Sequence, residues 1–212
     1  NGLKETASKC SPNTLLIVAD VTKQEDRVKI INETIKKFGK INVLVNNAGA
    51  GIMKELATTT MEDYDFVMDL NVRSVFHLTQ LAIPHLIETQ GNIVNISSVA
   101  GLRPFTGSTV YCMSKAALDQ FTRCLALELA PKNVRVNSVN PAAITTNFFQ
   151  ATGLSDEATN SLYESFAPKH ALGRVGTVLE TAHAIAFLAS DMSTFITGTT
   201  LVVDGGFSQM GP

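Results

Sequence analysis

Residues 92–129 read NIVNISSVAGLRPFTGSTVYCMSKAALDQFTRCLALEL, and this stretch decides the fold. It opens on a short apolar run, residues 92–96, bounded by Gly91 and two serines, the mark of a buried strand. Further on, Leu118, Phe121, Leu125 and Leu129 fall along one helical stripe, which predicts a helix over 111–129. A strand that feeds such a helix is half of a parallel crossover unit. The alternation continues in both directions. Upstream, residues 14–19 (TLLIVA) and 41–45 (INVLV) read as strands, with a helix between them over 25–38. That helix carries Val28, Ile31, Ile35 and Phe38 on one face and stops at Gly39, a residue suited to the left-handed cap position. Residues 61–89 read as two helices that meet near Asn71, with Pro84 bending the second. Downstream, 134–139 and 199–203 read as strands, and 177–189 as a helix. Strands apolar on both faces predict an α/β fold with a doubly wound parallel sheet and helices on both faces, in a single domain over 1–212. The longest irregular stretch, 145–176, carries Phe148, Phe149, Leu154, Tyr163 and Phe166. It reads as a substrate lid or as a small helix packed on the body.

Composition narrows the function. Of 212 residues, 45% are hydrophobic and 17% charged, which argues against disorder. Lys plus Arg number 17 against 19 Asp plus Glu, so the basic excess of a nucleic-acid binder is missing. No apolar run is long enough to span a membrane. Cys10, Cys112 and Cys124 are odd in number and far apart, which argues against a disulfide scaffold and for a reducing compartment, the cytoplasm first, with organelle targeting left open. His77, His85, His170 and His183 have no acids or cysteines at ligand spacing, so no metal is expected.

The chemistry concentrates at Ser98, Tyr111 and Lys115. Tyr111 and Lys115 stand four apart at the start of a helix and so share a face. An ammonium beside a phenol favours phenolate and lets the Tyr exchange protons near neutral pH. Ser98 follows a strand end, where its hydroxyl can meet a carbonyl held against Tyr111. Alone, such a pair is weak evidence and more often a surface ion-and-aromatic contact on a helix.

The motifs, taken in order, go further. Asp20-Val21-Thr22, Asn46-Asn47-Ala48-Gly49, Asn71, Asn95-Ile96-Ser97-Ser98, Tyr111-Cys112-Met113-Ser114-Lys115, Asn140-Pro141 and Asp204-Gly205-Gly206 run along nearly the whole chain, with 13 residues from Ser98 to Tyr111. The chain resembles the short-chain dehydrogenase/reductase family, in its 3-oxoacyl-acyl-carrier-protein reductase-like branch, and hence a Rossmann-like fold. The resemblance implies a ketone–alcohol oxidoreductase that uses NADP or NAD, with NADP preferred. It makes Tyr111 the general acid/base, Lys115 its charged neighbour and ribose contact, Ser98 the group that orients the carbonyl, and Asn71 the holder of a proton-relay water. Asn71 also reads as a structural amide at a helix break, a role compatible with the first. The cofactor would lie against Asp20, Val21, Asn47, Ala48, Gly49, Tyr111, Lys115, Pro141, Ala142, Ile144 and Thr146. Ala142 departs from the family, which usually has Gly there. The implied partners are a small carbonyl or alcohol substrate and further copies of the chain, as a homodimer or homotetramer. Phe105, Phe148, Phe149 and Phe166 suggest an apolar pocket wall or a subunit contact.

One family feature does not occur in these 212 residues. A dinucleotide's pyrophosphate is normally cradled by a Gly-rich turn between the first strand and a helix N-terminus. No such turn precedes residue 14, and residues 1–10 resemble the helix after the family's second strand. The residue that selects NAD or NADP lies in the same stretch. The chain therefore reads as N-terminally incomplete, a fragment or a naturally shortened protein. Either residues 14–19 pair directly with 41–45 in a five-stranded sheet, or other residues complete the sheet. A second function class follows: a catalytically inactive shortened paralogue or isoform that serves as a binding or assembly subunit.

Overall fold

The computed structural model describes residues 2–151 and 153–210. Among these, four parallel strands form one sheet in sequence order: β1 (Val43–Asn46), β2 (Asn92–Ile96), β3 (Arg135–Pro141) and β4 (Thr200–Val203). Each parallel neighbour requires a crossover. From β1 to β2 the crossover is α3 (Met61–Met68) and α4 (Ser74–Thr89), and from β2 to β3 it is α5 (Thr109–Leu129). From β3 to β4 the chain passes through α6 (Phe148–Ala151), α7 (Asp156–Phe166) and α8 (Val178–Ala189). Ahead of β1 lie α1 (Gly2–Ser8) and α2 (Gln24–Phe38).

The apolar stripes read in the sequence become two cores. On one face, Ile31 of α2, Ala82 and Leu86 of α4, and Leu125 and Leu129 of α5 pack with Ile93 and Val136. On the other, Leu188 of α8 packs against Val94 and Val139. α2 ends at Gly39, whose φ of 76° is the left-handed cap. The junction of α3 and α4 is a π-helical segment, Asp69–Arg73, which contains Asn71. Such a bulge widens the helix locally and turns a side chain inward, and Asn71 is fully buried. Pro84 sits inside α4, which runs on past it to Thr89.

One predicted strand is absent. Residues 14–19 form no ladder, and the sheet has four strands where five were expected, so direct pairing with 41–45 does not occur. A strand needs partners for its N–H and C=O groups, and apolar content alone does not supply them. Instead α2 tethers the segment: Lys29 Nζ donates to Val18 O (3.0 Å), Arg27 Nη1 to Val21 O (2.6 Å), and Asp26 Oδ2 accepts from Asp20 N (2.7 Å). Val18 is 77% exposed. β1 is consequently an edge strand, paired with β2 alone, and Val43 and Val45 on one of its faces are exposed.

Candidate active site

The C-terminal ends of β1, β2 and β3 and the start of α5 converge. β2 ends at Ile96, and Ser97 and Ser98 lead into the tight turn Val99–Gly101. Ser98 Oγ caps that turn by accepting from Ala100 N (3.1 Å) and lies 3.4 Å from Pro141 O at the end of β3. α5 brings Tyr111 and Lys115 to the same place one turn apart. Lys115 is 5% exposed, and its Nζ donates to Ile96 O (2.9 Å) at the end of β2. That ammonium lies 5.6 Å from the centre of the Tyr111 ring.

The electrostatics depart from the sequence expectation. Burial pushes the Tyr111 phenol up to about 12, although a hydrogen bond with Ser98 favours the phenolate. Burial also brings Lys115 down to about 8, while the negative charge of Asp119 opposes that fall. Lys115 was expected to lower the phenol. Here its ammonium is held by a carbonyl oxygen, and desolvation governs both groups.

Asn71 fastens the site. Its Oδ1 accepts from Ala50 N (3.0 Å), and its Nδ2 donates to Ala50 O (2.8 Å) and Ser114 Oγ (3.0 Å). Ser114 Oγ in turn donates to Tyr111 O (2.8 Å). The side chain thus joins the loop after β1 to α5. Asn46 is structural too: its Nδ2 donates to Asn95 Oδ1 (2.8 Å) and Thr79 Oγ1 (3.1 Å) in the sheet interior. Asn47, Ala48 and Gly49, one step further, are exposed. A Cβ on Gly49 would stand 3.2 Å from Asn71 Oδ1 and 3.4 Å from Lys115 Nζ. Glycine therefore leaves open a cradle beside Lys115 that any side chain would narrow.

The loop after β3 is pinned on two sides. Ala142 N donates to Val203 O (3.2 Å), and residues 143–145 bond to Gly176 in both directions. Ala142 is absent from the residues with positive φ, so its methyl adds no left-handed strain. On the other side the Tyr163 hydroxyl of α7 accepts from Thr146 N (3.0 Å) and lies within hydrogen-bonding distance of Ile144 O (3.0 Å) and Thr146 O (2.9 Å). In the sequence Tyr163 is one aromatic among those of the 145–176 stretch, and no spacing marks it as this anchor. Phe148 packs against the site, its ring 5.7 Å from that of Tyr111. Behind it, Phe149 packs on Phe148, Tyr163 and Phe166. Phe105 belongs elsewhere, stacked on Phe207.

Asp20 and Val21 bond away from this cluster. The Asp20 carboxylate closes a turn on Thr22 N (2.9 Å) and Thr22 Oγ1 (2.7 Å), bonds that hold it below the usual carboxylate range. Among the described residues no group of three His, Cys, Asp or Glu could hold a metal ion, and no helix is long and apolar enough to cross a membrane.

A family model described as enoyl-(acyl carrier protein) reductase matches residues 1–208. A tropinone reductase homologue of Arabidopsis thaliana is 45% identical over 196 residues, 92% of this chain and 71% of the relative. A crystal structure of a short-chain dehydrogenase/reductase of unknown function from Caenorhabditis elegans, with cofactor, superposes with a TM-score of 0.91 at 38% identity, over 99% of this chain and 83% of that one. The structure of ElxO with NADP bound gives a TM-score of 0.83 at 35% identity, over 90% and 77% of the two chains.

Proposed function

We propose that this chain, which belongs to the short-chain dehydrogenase/reductase family of NAD(P)-dependent oxidoreductases, interconverts a ketone and a secondary alcohol with Tyr111 as the proton donor and acceptor. The observation that carries the reading is the meeting of Ser98, Tyr111 and Lys115 at the ends of β2 and β3. The open cradle at Gly49, beside Lys115, fits the nicotinamide end of the cofactor, and the neighbouring loop Pro141, Ala142, Ile144 and Thr146 would flank it. When bound, the nicotinamide supplies or accepts the hydride at the carbonyl carbon. Asn47, Ala48 and Gly49 offer exposed backbone on the same side, and Asp20 and Val21 would serve the adenine end. NADP is the proposed member of the cofactor pair, supported by the likeness to ElxO with NADP bound.

The chain's own groups do the rest. The Ser98 hydroxyl donates to the carbonyl oxygen and fixes its direction. Tyr111, held as the neutral phenol by burial, gives its proton to that oxygen as negative charge develops there. Lys115, charged below about 8, stabilises the resulting phenolate. Asn71 keeps the loop after β1 in register with Tyr111. Residues 145–176, which bring Phe148 against the Tyr111 ring, act as the substrate lid of a single domain. The aromatic face of Phe148, Phe149 and Phe166 suits a substrate with an apolar body. Phe76, 53% exposed on α4, and Leu127 on α5 support a homo-oligomer built through these helices. The free thiols support a reducing compartment, with the cytoplasm proposed.

The test is a fluorescence titration with NADPH and then NADH, followed by a ketone screen. The chain has no Trp, which leaves the nicotinamide signal uncluttered. Saturable binding and ketone reduction are expected. Tyr111→Phe is expected to lower turnover by about 10²–10⁴-fold while the protein stays folded. A folded chain that neither binds cofactor nor reduces ketones overturns the reading in favour of an inactive assembly subunit.

A further inference from the structure

The mechanism above leaves the buried carboxylate of Asp119 unused. Asp119 lies on α5 one turn beyond Lys115 and is 1% exposed. Its two carboxylate oxygens are each 3.0 Å from Asn140 Nδ2. Ser138 Oγ stands 3.4 Å from Oδ1, and the Ser97 hydroxyl also bonds to the carboxylate. The same Asn140 Nδ2 donates to Ser98 O (2.9 Å), while Asn140 Oδ1 accepts from Ser138 Oγ (2.9 Å). Gly101, in the turn that follows Ser98, packs so closely on Asp119 Oδ2 that no Cβ fits there. The carboxylate therefore lies beneath the ends of β2, β3 and α5, which carry Ser98, the Pro141 loop and the Tyr111–Lys115 pair.

We propose that Asp119 is a positioning residue whose ionised carboxylate fixes Ser98 through Asn140 and serves as the internal counter-charge of the Lys115 ammonium. The inference rests on the function proposed above for its purpose, but not for its geometry. A buried charge is tolerated only where hydrogen bonds and opposite charge compensate its desolvation. Here the Asn140 amide nitrogen can only donate; the Ser97 hydroxyl, shared with Lys115 O (3.2 Å), adds to it, and the Ser138 hydroxyl stands 3.4 Å away with its nearer partner in Asn140 Oδ1 (2.9 Å). The charged groups facing Asp119 lie on its own helix, Lys115 and Arg123. The ends of β2 and β3 and the 99–101 turn present neutral Ser97, Ser138, Asn140 and Gly101. Burial raises the Asp119 carboxyl, and the bonds from Ser97, Asn140 and Ser138 oppose that rise. Its charge in turn raises Lys115, which burial alone would lower further.

The test reads protonation directly and needs no turnover. With ¹³C-labelled lysine side chains, the Lys115 resonance is identified by its loss in Lys115→Met, and its titration midpoint is compared between the unaltered chain and Asp119→Asn. The midpoint is expected to fall by about one unit, a tenfold change in proton affinity. Ser138→Ala keeps the charge and is expected to leave the midpoint in place. An unchanged midpoint in folded Asp119→Asn overturns the proposal. Should that variant not fold, the carboxyl-carbon resonance of Asp119 in the unaltered chain decides. An ionised carboxyl at pH 7 supports the counter-charge, and a protonated one overturns it. Activity is a separate readout. If the unaltered chain reduces ketones, Asp119→Asn is expected to lower kcat about tenfold, with its pH profile shifted along with Lys115. If the unaltered chain reduces none, the functional reading fails while the resonances still judge Asp119.

Discussion

Tyr111 and Lys115 share one helix face yet titrate in opposite directions from their ordinary values, and burial explains both because it penalises the charged form of each. The consequence for folding can be signed. An unfolded phenol releases its proton near 10 and the folded Tyr111 near about 12. Its contribution is fully present below pH 10 and is lost as pH rises through 12. Lys115 behaves the other way. It releases its proton near about 8 when folded and 10.5 when unfolded. Its contribution is present above 10.5 and is lost as pH falls through 8. Each interval corresponds to about 3 kcal/mol at most. Melting temperature followed from pH 7 to 12 is therefore expected to lose a rising limb between 8 and 10.5 in Lys115→Met, and a falling limb between 10 and 12 in Tyr111→Phe. Profiles parallel to the unaltered chain in both variants would refute burial as the cause.

One hydroxyl ties α7 to the loop after β3. Tyr163 links α7 to the backbone of Ile144 and Thr146, so the position of Phe148 over Tyr111 depends on the same contact that shapes the loop. Tyr163→Phe leaves the ring packed on Phe149 but strands the Thr146 N–H and the facing carbonyls. A stability loss of about 1–3 kcal/mol is expected, read by denaturant unfolding. In steady-state kinetics KM for the ketone is expected to rise more than kcat falls. A variant with unaltered stability and KM would separate the lid from the loop. This contact was not legible in the sequence, because it joins residues 17 apart through space and leaves no periodic signature. Asn92–Ile96 was legible with its bounds, since Gly91 and the serines punctuate a strand paired on both sides. The Tyr111–Lys115 pair was legible as helical spacing, whereas the Asp119–Asn140–Ser98 chain of bonds was not. Residues 14–19 carry as good an apolar signature as residues 92–96, and they fail as a strand because a ladder is a property of two strands and not of one.

For the molecule as a whole, that failure sets how the sheet meets solvent. β1 and β4 are the two edges of the sheet, each paired on one side only, and β1 leaves a row of backbone groups open on the side away from β2. α8 packs on β2 and β3 on the second face through Leu188, and on β1 Val43 and Val45 remain 37% and 40% exposed. A parallel strand that is apolar, short of cover and unpaired along one edge is a template for another strand. The 212-residue chain is therefore expected to self-associate through this edge, by a route distinct from the helical face at Phe76. Charge is the natural remedy, because a Lys projecting from an edge strand disfavours a second strand beside it without touching the ladder to β2. In Val45→Lys, light scattering at rising concentration is expected to show slower growth of large species. The melting temperature should stay close to that of the unaltered chain, since exposed substitutions usually change stability by less than about 0.5 kcal/mol. Phe76→Lys provides the contrast: it should lower any defined dimer or tetramer seen by sedimentation and leave the slow growth of aggregates in place. If Val45→Lys aggregates as fast as the unaltered chain, the open edge of β1 is not the site of association.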